Sequence, residues 1–144
     1  MSTIPNLRPL QLISIPGTHD SLARHGVSKF PRMFETQTMT LESQLKAGIR
    51  AFDVRCRLVN NECAVYHQFV SQEINLDEVL QICESFLKMY PSEVVLLRVK
   101  DKENSPINST QSFEDVFVGR YWNKYRTLLW QPKDIDLVGV SLLG

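Results

Sequence analysis

The sequence predicts an α/β domain whose strands form a parallel sheet, on three observations. Apolar or alternating stretches at Gln11–Ile15, Ile49–Arg57, Ala64–His67 and Val94–Val99 have the length and period of strands. Leu76, Val79, Leu80, Cys83, Phe86, Leu87 and Tyr90 recur at three- and four-residue steps, the period of an amphipathic helix. Strands then alternate with helices from Met39 to Trp130, the order that right-handed crossovers require.

In chain order, Gln11–Ile15 reads as a strand stopped by Pro16-Gly17. Ser21 to Thr40 carries Gly26, Pro31 and mixed polarity, and reads as a long loop. Thr40 is placed to cap a short helix with Leu41 and Leu45 on one face, ended at Gly48. From Ile49 to Arg57 the residues alternate: Ala51, Asp53, Arg55 and Arg57 share one strand face, Phe52 and Val54 the other. Asn60-Asn61 is a turn into the strand ending at His67. Asn75-Leu76-Asp77-Glu78 has the form of a capping box in front of the long helix, and Pro91 stops that helix. Val94–Val99 is almost continuously apolar, as a strand buried on both faces would be. Ser112 opens a further helix, with Phe113, Val116, Phe117, Tyr121 and Leu128 on one side.

Composition bounds the function. The chain has 144 residues, the size of one domain, and 43% of them are hydrophobic. Sixteen basic residues balance sixteen acidic ones, so no net field favours nucleic acid, and an anionic partner must be held by local charge. Three cysteines, Cys56, Cys63 and Cys83, lack metal-ligand spacing and are expected as free thiols, with a Cys56–Cys63 pairing across a hairpin as the alternative. Met1–Leu10 has no apolar core of signal-peptide length, which favours a cytoplasmic protein with peripheral membrane contact left open.

The reactive side chains gather at strand ends. His19 and Asp20 follow the first strand, Arg55 ends the second, His67 the third, and Lys100 the fourth. In parallel α/β folds the carboxyl ends of the strands are where ligands bind. Two imidazoles can act as base and acid on one phosphorus or carbonyl centre. A guanidinium between them matches phosphate oxygens and stabilises the charge that develops on them. Asp53, two residues before Arg55 on the same face, is placed to hold that guanidinium, and Asp20 to orient an imidazole. Each residue also has a plain structural reading: His19 as a solvated turn histidine, Asp53 with Arg55 as an ion pair, and Lys100 as the start of a solvated charged run. The absence of a carboxylate cluster argues against a two-metal hydrolase.

Taken together, Ile13-Ser14-Ile15-Pro16-Gly17-Thr18-His19-Asp20-Ser21, Thr36-Gln37, Gln44-Leu45, Gly48-Ile49-Arg50-Ala51-Phe52-Asp53-Val54-Arg55, His67, Phe86-Leu87-Lys88, Pro91-Ser92-Glu93 and Lys100 resemble the X domain of phosphatidylinositol-specific phospholipase C, in its bacterial single-domain form. The resemblance is strongest over residues 10–104. It implies a partial TIM-type (β/α) barrel of about four strands with intervening helices, the N-terminal half of a fold roughly twice this size. It also implies that His19 is the general base on the inositol 2-hydroxyl and that His67, assisted by Asp20, is the acid toward the diacylglycerol oxygen. Arg55 would stabilise the transition state, and Lys100 would contact the inositol phosphate. The substrate is then phosphatidylinositol at a membrane surface, and no metal is required, with Ca2+ as the alternative. Tyr66 and Gln68 depart from the family pattern, so the loop after His67 is expected to differ in shape. The acid that orients the base, a further arginine and the floor of the inositol pocket normally come from the second half, for which residues 136–144 offer no match. A second chain completing the barrel, or a truncated, non-catalytic phosphoinositide- or protein-binding module, are the competing expectations. A metal-dependent glycerophosphodiesterase is a weaker third.

Overall fold

Strand β2, Ala51–Val59, is the spine of the molecule, and every other strand but one pairs with it. The computed structural model describes residues 12–27, 34–101 and 106–130. Around β2 the elements run β1 (Gly17–Thr18), α1 (Leu41–Lys46), β3 (Glu62–His67), β4 (Val70–Asn75), α2 (Leu76–Met89), β5 (Leu96–Asp101) and α3 (Phe113–Val116). The last helix continues into a π-helical turn, Phe117–Trp122.

The sheet is mixed, which corrects the all-parallel expectation. β1 and β5 run parallel to β2, but β3 is antiparallel to β2 and β4 to β3. The reason is local. Asn60 and Asn61 both take left-handed φ angles, 52° and 58°, and close a two-residue hairpin between Val59 and Glu62. A turn that short leaves no length for a crossover helix. β4 is absent from the sequence reading, because Val70-Ser71-Gln72-Glu73 has little apolar alternation. It forms because the two-residue turn at Gln68-Phe69 returns the chain, with His67 opposite Val70. Gln68 takes φ 53°, a conformation glycine adopts more readily, so the tight turn is kept at some strain.

The first strand also moves. Gln11 lies outside the described residues, and Leu12–Pro16 forms no strand; pairing begins where Pro16 accepts hydrogen bonds from the Arg50 and Ala51 N–H groups, at 2.9 and 3.1 Å. Gly17 is needed there for closeness rather than as a stop. A Cβ on it would lie 3.0 Å from the Ala51 Cβ and 3.1 Å from the Ala51 carbonyl oxygen.

Helix ends follow their chemistry. Thr40 caps α1 by accepting from the Ser43 N–H, and Asn75 with Glu78 closes a reciprocal capping box on α2. The core lies on the Phe52, Val54, Cys56 and Leu58 face of β2, against Leu41 and Leu45 of α1 and Leu76, Val79, Leu80, Cys83 and Phe86 of α2. Tyr121, buried in the π-helical turn, accepts the Cys63 N–H at 2.9 Å through its hydroxyl and ties the C-terminal helical segment to β3. All three cysteines are buried free thiols. Burial pushes the Cys63 and Cys83 thiols up to about 12, so they stay protonated and unreactive at neutral pH.

β5 is not buried on both faces as its apolar sequence suggested. Leu96, Leu97 and Val99 are half-buried, and Arg98, Lys100 and Asp101 are exposed. Among the described residues β5 pairs with β2 alone, so one edge stays open and its charged residues are solvated. No helix among the described residues is long and apolar enough to cross a membrane.

Candidate active site

β1 and β3 share one edge of β2 and leave a gap in it. β1 pairs at Ala51 and Phe52, while β3 pairs from Cys56 to Val59. Into the space beside Asp53–Arg55 comes the loop after β1, pinned by two hydrogen bonds: the Ser21 N–H donates to the Asp53 carbonyl (3.0 Å) and the Asp53 N–H to Ser21 Oγ (2.8 Å). A second lock is Gln44, buried in α1. Its Nε2 donates to the Ser21 carbonyl at 2.8 Å, and its Oε1 accepts from Thr18 Oγ1 at 2.8 Å. Gln44→Leu takes this donor from the buried Ser21 carbonyl and leaves Thr18 Oγ1 with Ser21 Oγ alone, so it is expected to cost about 1–3 kcal/mol in urea unfolding. A loss under half a kilocalorie would show that this lock carries no weight.

The structure gathers His19, Asp20, Asp53, Arg55 and His67 at this gap. Asp20 Oδ2 lies 3.3 Å from His19 Nε2 and 3.2 Å from His67 Nε2. One carboxylate oxygen therefore stands between both imidazoles. Arg55 Nε lies 2.5 Å from Asp20 Oδ1 but is not aimed at it, and that buried oxygen has no hydrogen-bond donor. It is held by charge. Arg55 also donates to Asp53 Oδ2 from Nε (3.3 Å) and Nη2 (3.2 Å), and its Nη2 lies 3.1 Å from His19 Nε2. Asp20 has φ 44°, a left-handed angle that aspartate tolerates better than most residues.

The surroundings of the two imidazoles differ. His67 is buried; its Nδ1 is 2.8 Å from the Phe34 carbonyl oxygen and its Nε2 faces Asp20. Both neighbours only accept, so each ring nitrogen of His67 lies beside an acceptor. His19 has 71% of its side chain exposed, and its Nδ1 faces Asp53 Oδ2 at 3.2 Å. Its Nε2 faces a donor, Arg55, and an acceptor, Asp20. At Nε2 this ring therefore has both a donor and an acceptor as neighbours.

These placements correct the simple strand-end picture. Arg55 sits in the middle of β2, because β2 runs on to Val59. His67 ends an antiparallel strand and reaches the site because the hairpin folds back beside β2. Lys100 lies one residue before the end of β5, exposed, and is the register partner of Arg55. Sequence reasoning missed Arg98, the register partner of Asp53, whose Nη1 donates to Asp53 Oδ1 at 3.5 Å. Its signal was there: Arg98 and Lys100, two apart in an apolar run, must share a face. Gln72 was also missed. Two residues from buried Val70 on the same face of β4, it points inward, where Oε1 accepts from the Arg24 and His25 N–H groups, both at 2.8 Å, and so fastens the loop beyond Asp20. A groove of about 740 Å³ runs between α1 and α2 and includes none of the five clustered residues.

His19, Asp20 and Asp53 each offer a ligand atom within a 4.8 Å cluster. They do not fit calcium. That ion takes six to eight oxygen ligands, whereas this set includes an imidazole, and the Arg55 guanidinium already lies against both carboxylates.

Two imidazoles, two carboxylates and a guanidinium thus meet at one edge of β2, in a sheet that is part of a (β/α) barrel. The comparisons give the family. A family model described as "Phosphatidylinositol-specific phospholipase C, X domain" matches residues 13–135. The 1-phosphatidylinositol phosphodiesterase of Listeria monocytogenes is 37% identical over 108 residues, covering 73% of this chain and 33% of that protein. The enzyme of the same name from Staphylococcus aureus strain Newman is 30% identical over 134 residues, 90% of this chain and 43% of that one. A crystal structure of the S. aureus phospholipase C superposes with a TM-score of 0.82 at 30% identity, covering 88% of this chain and 43% of that chain. The L. monocytogenes structure gives 0.74 at 34% identity, covering 88% and 44%. The chain belongs to the phosphatidylinositol-specific phospholipase C X-domain family. It spans between a third and a half of the length of these relatives.

Proposed function

We propose that the site cleaves the phosphodiester of phosphatidylinositol by acid–base chemistry without a metal. His19 Nε2 takes the proton of the inositol 2-hydroxyl, and that oxygen attacks the phosphorus. The bond to the diacylglycerol oxygen breaks, and His67 Nε2 delivers a proton to that oxygen. The products are diacylglycerol and a cyclic inositol phosphate. Arg55, which hydrogen-bonds His19 in the free protein, turns its Nη2 to a phosphate oxygen and frees the Nε2 lone pair as it does so. Its guanidinium carries out the charge stabilisation that a cation would supply. Lys100 and Arg98, exposed on the same face of β5, extend positive charge toward the inositol phosphate. The observation that carries the reading is the shared Asp20 Oδ2, which holds both imidazole Nε2 atoms within 3.3 Å of one oxygen.

Membrane contact is assigned to Phe69. Its side chain is exposed, packs edge-on against Phe34 at 4.9 Å between ring centres, and lies two residues from His67. The phosphodiester would thus meet the acid at a lipid surface. The test incubates the 144-residue chain with phosphatidylinositol vesicles and measures water-soluble inositol phosphate. Release that His19→Ala abolishes, with vesicle binding weakened by Phe69→Ala, is the expected result. No release, and no difference between the chain and His19→Ala, would exclude catalysis.

The open edge and solvated face of β5 favour a second reading, a non-catalytic module binding an inositol headgroup or a protein. The edge is where further strands, of the same or a second chain, would pair. This reading expects vesicle or partner binding that survives His67→Ala and weakens with Arg55→Ala.

A further inference from the structure

We propose that Asp53 is the positioning residue of His19: its carboxylate fixes the proton of that imidazole on Nδ1 and leaves Nε2 as the basic nitrogen. The inference rests on the reading of His19 as the base, and it goes beyond the pairing of Asp53 with Arg55 that the strand alternation suggests.

Asp53 Oδ2 lies 3.2 Å from His19 Nδ1. An imidazole with 71% of its side chain in solvent is ordinarily free to turn about its Cβ–Cγ bond, and either nitrogen can carry the proton. Here the ring meets a carboxylate that is buried and bonded on every side. Asp53 is 8% exposed; its N–H and carbonyl are both bonded to Ser21. Its Oδ1 accepts from Arg98 Nη1 at 3.5 Å, and its Oδ2 accepts from Arg55 at 3.2 and 3.3 Å and from the Asp20 N–H at 3.4 Å. A buried anchor on a rigid strand thus holds an exposed ring on a loop.

The arrangement also selects the tautomer. Nδ1 faces only an acceptor, so it carries its proton whether the ring is neutral or charged. Nε2 faces both the donor Arg55 and the acceptor Asp20, so it can be bare or protonated. Nε2 is therefore the only nitrogen whose protonation changes through a reaction cycle. The two carboxylates divide the work: Asp53 holds the base, and Asp20 reaches both rings. Turning the ring over would place a carbon against Asp53 in place of Nδ1, so the orientation and the tautomer are set together.

The test is nitrogen-15 NMR of the imidazoles in the full chain across pH, together with vesicle kinetics. The chain has three histidines, so His19 is assigned by removing His25 and His67 singly. In the unaltered protein, neutral His19 is expected to carry its proton on Nδ1. In Asp53→Asn the population is expected to move toward Nε2–H, and Asp53→Glu should recover part of the Nδ1 preference. The kinetic counterpart is a fall in kcat of roughly 10²–10⁴-fold in Asp53→Asn, with KM changed much less, the pattern of a misdirected base. A neutral His19 protonated on Nε2 in the unaltered protein, or a tautomer ratio that Asp53→Asn leaves unmoved, overturns the proposal. If Asp53→Asn does not fold, the spectrum of the unaltered protein decides alone. If the chain releases no inositol phosphate yet shows the Nδ1 tautomer lost in Asp53→Asn, the catalytic reading fails and the positioning stands.

Discussion

His67→Ala is expected to slow phosphatidylinositol cleavage by about 10²–10⁴-fold, the usual worth of a positioned general acid. The loss should depend on the leaving group. Diacylglycerol departs as an alkoxide and needs a proton, whereas a nitrophenol departs as a stable anion and needs none. An inositol phosphate ester of nitrophenol should therefore restore much of the rate in His67→Ala and little of it in His19→Ala, because the base is required whatever departs. Equal losses on both substrates in His67→Ala would remove His67 from the acid role. The structural ground is the asymmetry of the rings: His67 is buried between two acceptors, the Phe34 carbonyl and Asp20, while His19 has a donor and an acceptor at Nε2.

Asp20→Ala is expected to produce the largest combined loss of stability and activity. Asp20 is 5% exposed, and its carboxylate is the common neighbour of Arg55, His19 and His67. Removing it takes one of two carboxylates from Arg55, which keeps Asp53, and the buried acceptor beside His67, a loss of about 1–3 kcal/mol. Alanine adds roughly 1 kcal/mol because its side chain disfavours the left-handed φ of 44° found here. Asp20→Asn separates the two effects. Asparagine accepts that backbone, so it should lose the charge-dependent part while folding better than alanine. Denaturant midpoints of the two variants measure the difference. If asparagine is no more stable than alanine, the backbone angle plays no part in the loss.

Much of the site was legible in the chain because it follows from local rules. Asp53 and Arg55 are two apart in a strand and must share a face. The Thr40 and Asn75 caps follow from short side chains that satisfy helix N–H groups. What was illegible depended on long-range pairing. Gln72 looked like a polar loop residue, and only the pairing of β4 with β3 puts it on the buried face, against the Arg24–His25 backbone. Pro16-Gly17 looked like a terminator, and only the approach of Ala51 shows why glycine stands there. The tightness of the turn after His67 was equally unreadable, because it depends on the left-handed angle at Gln68, a residue type that gives no sign of it.

By itself the sequence determined which residues are candidates for the site, where the helices start, and which family the chain resembles. These are matters of residue identity and near neighbours, and side-chain hydrogen bonding and strand alternation act within a few residues. Only the tertiary structure decided that β3 runs antiparallel and brings His67 back to Asp20. Only it decided that Asp53 faces His19 as well as Arg55, and that Arg98 belongs to the site. Those facts depend on register between strands distant in the chain, set by a two-residue Asn-Asn turn and by packing of the sheet on α1 and α2. Local chemistry names the candidates; the pairing of β2 with β1, β3 and β5 puts them within hydrogen-bonding distance.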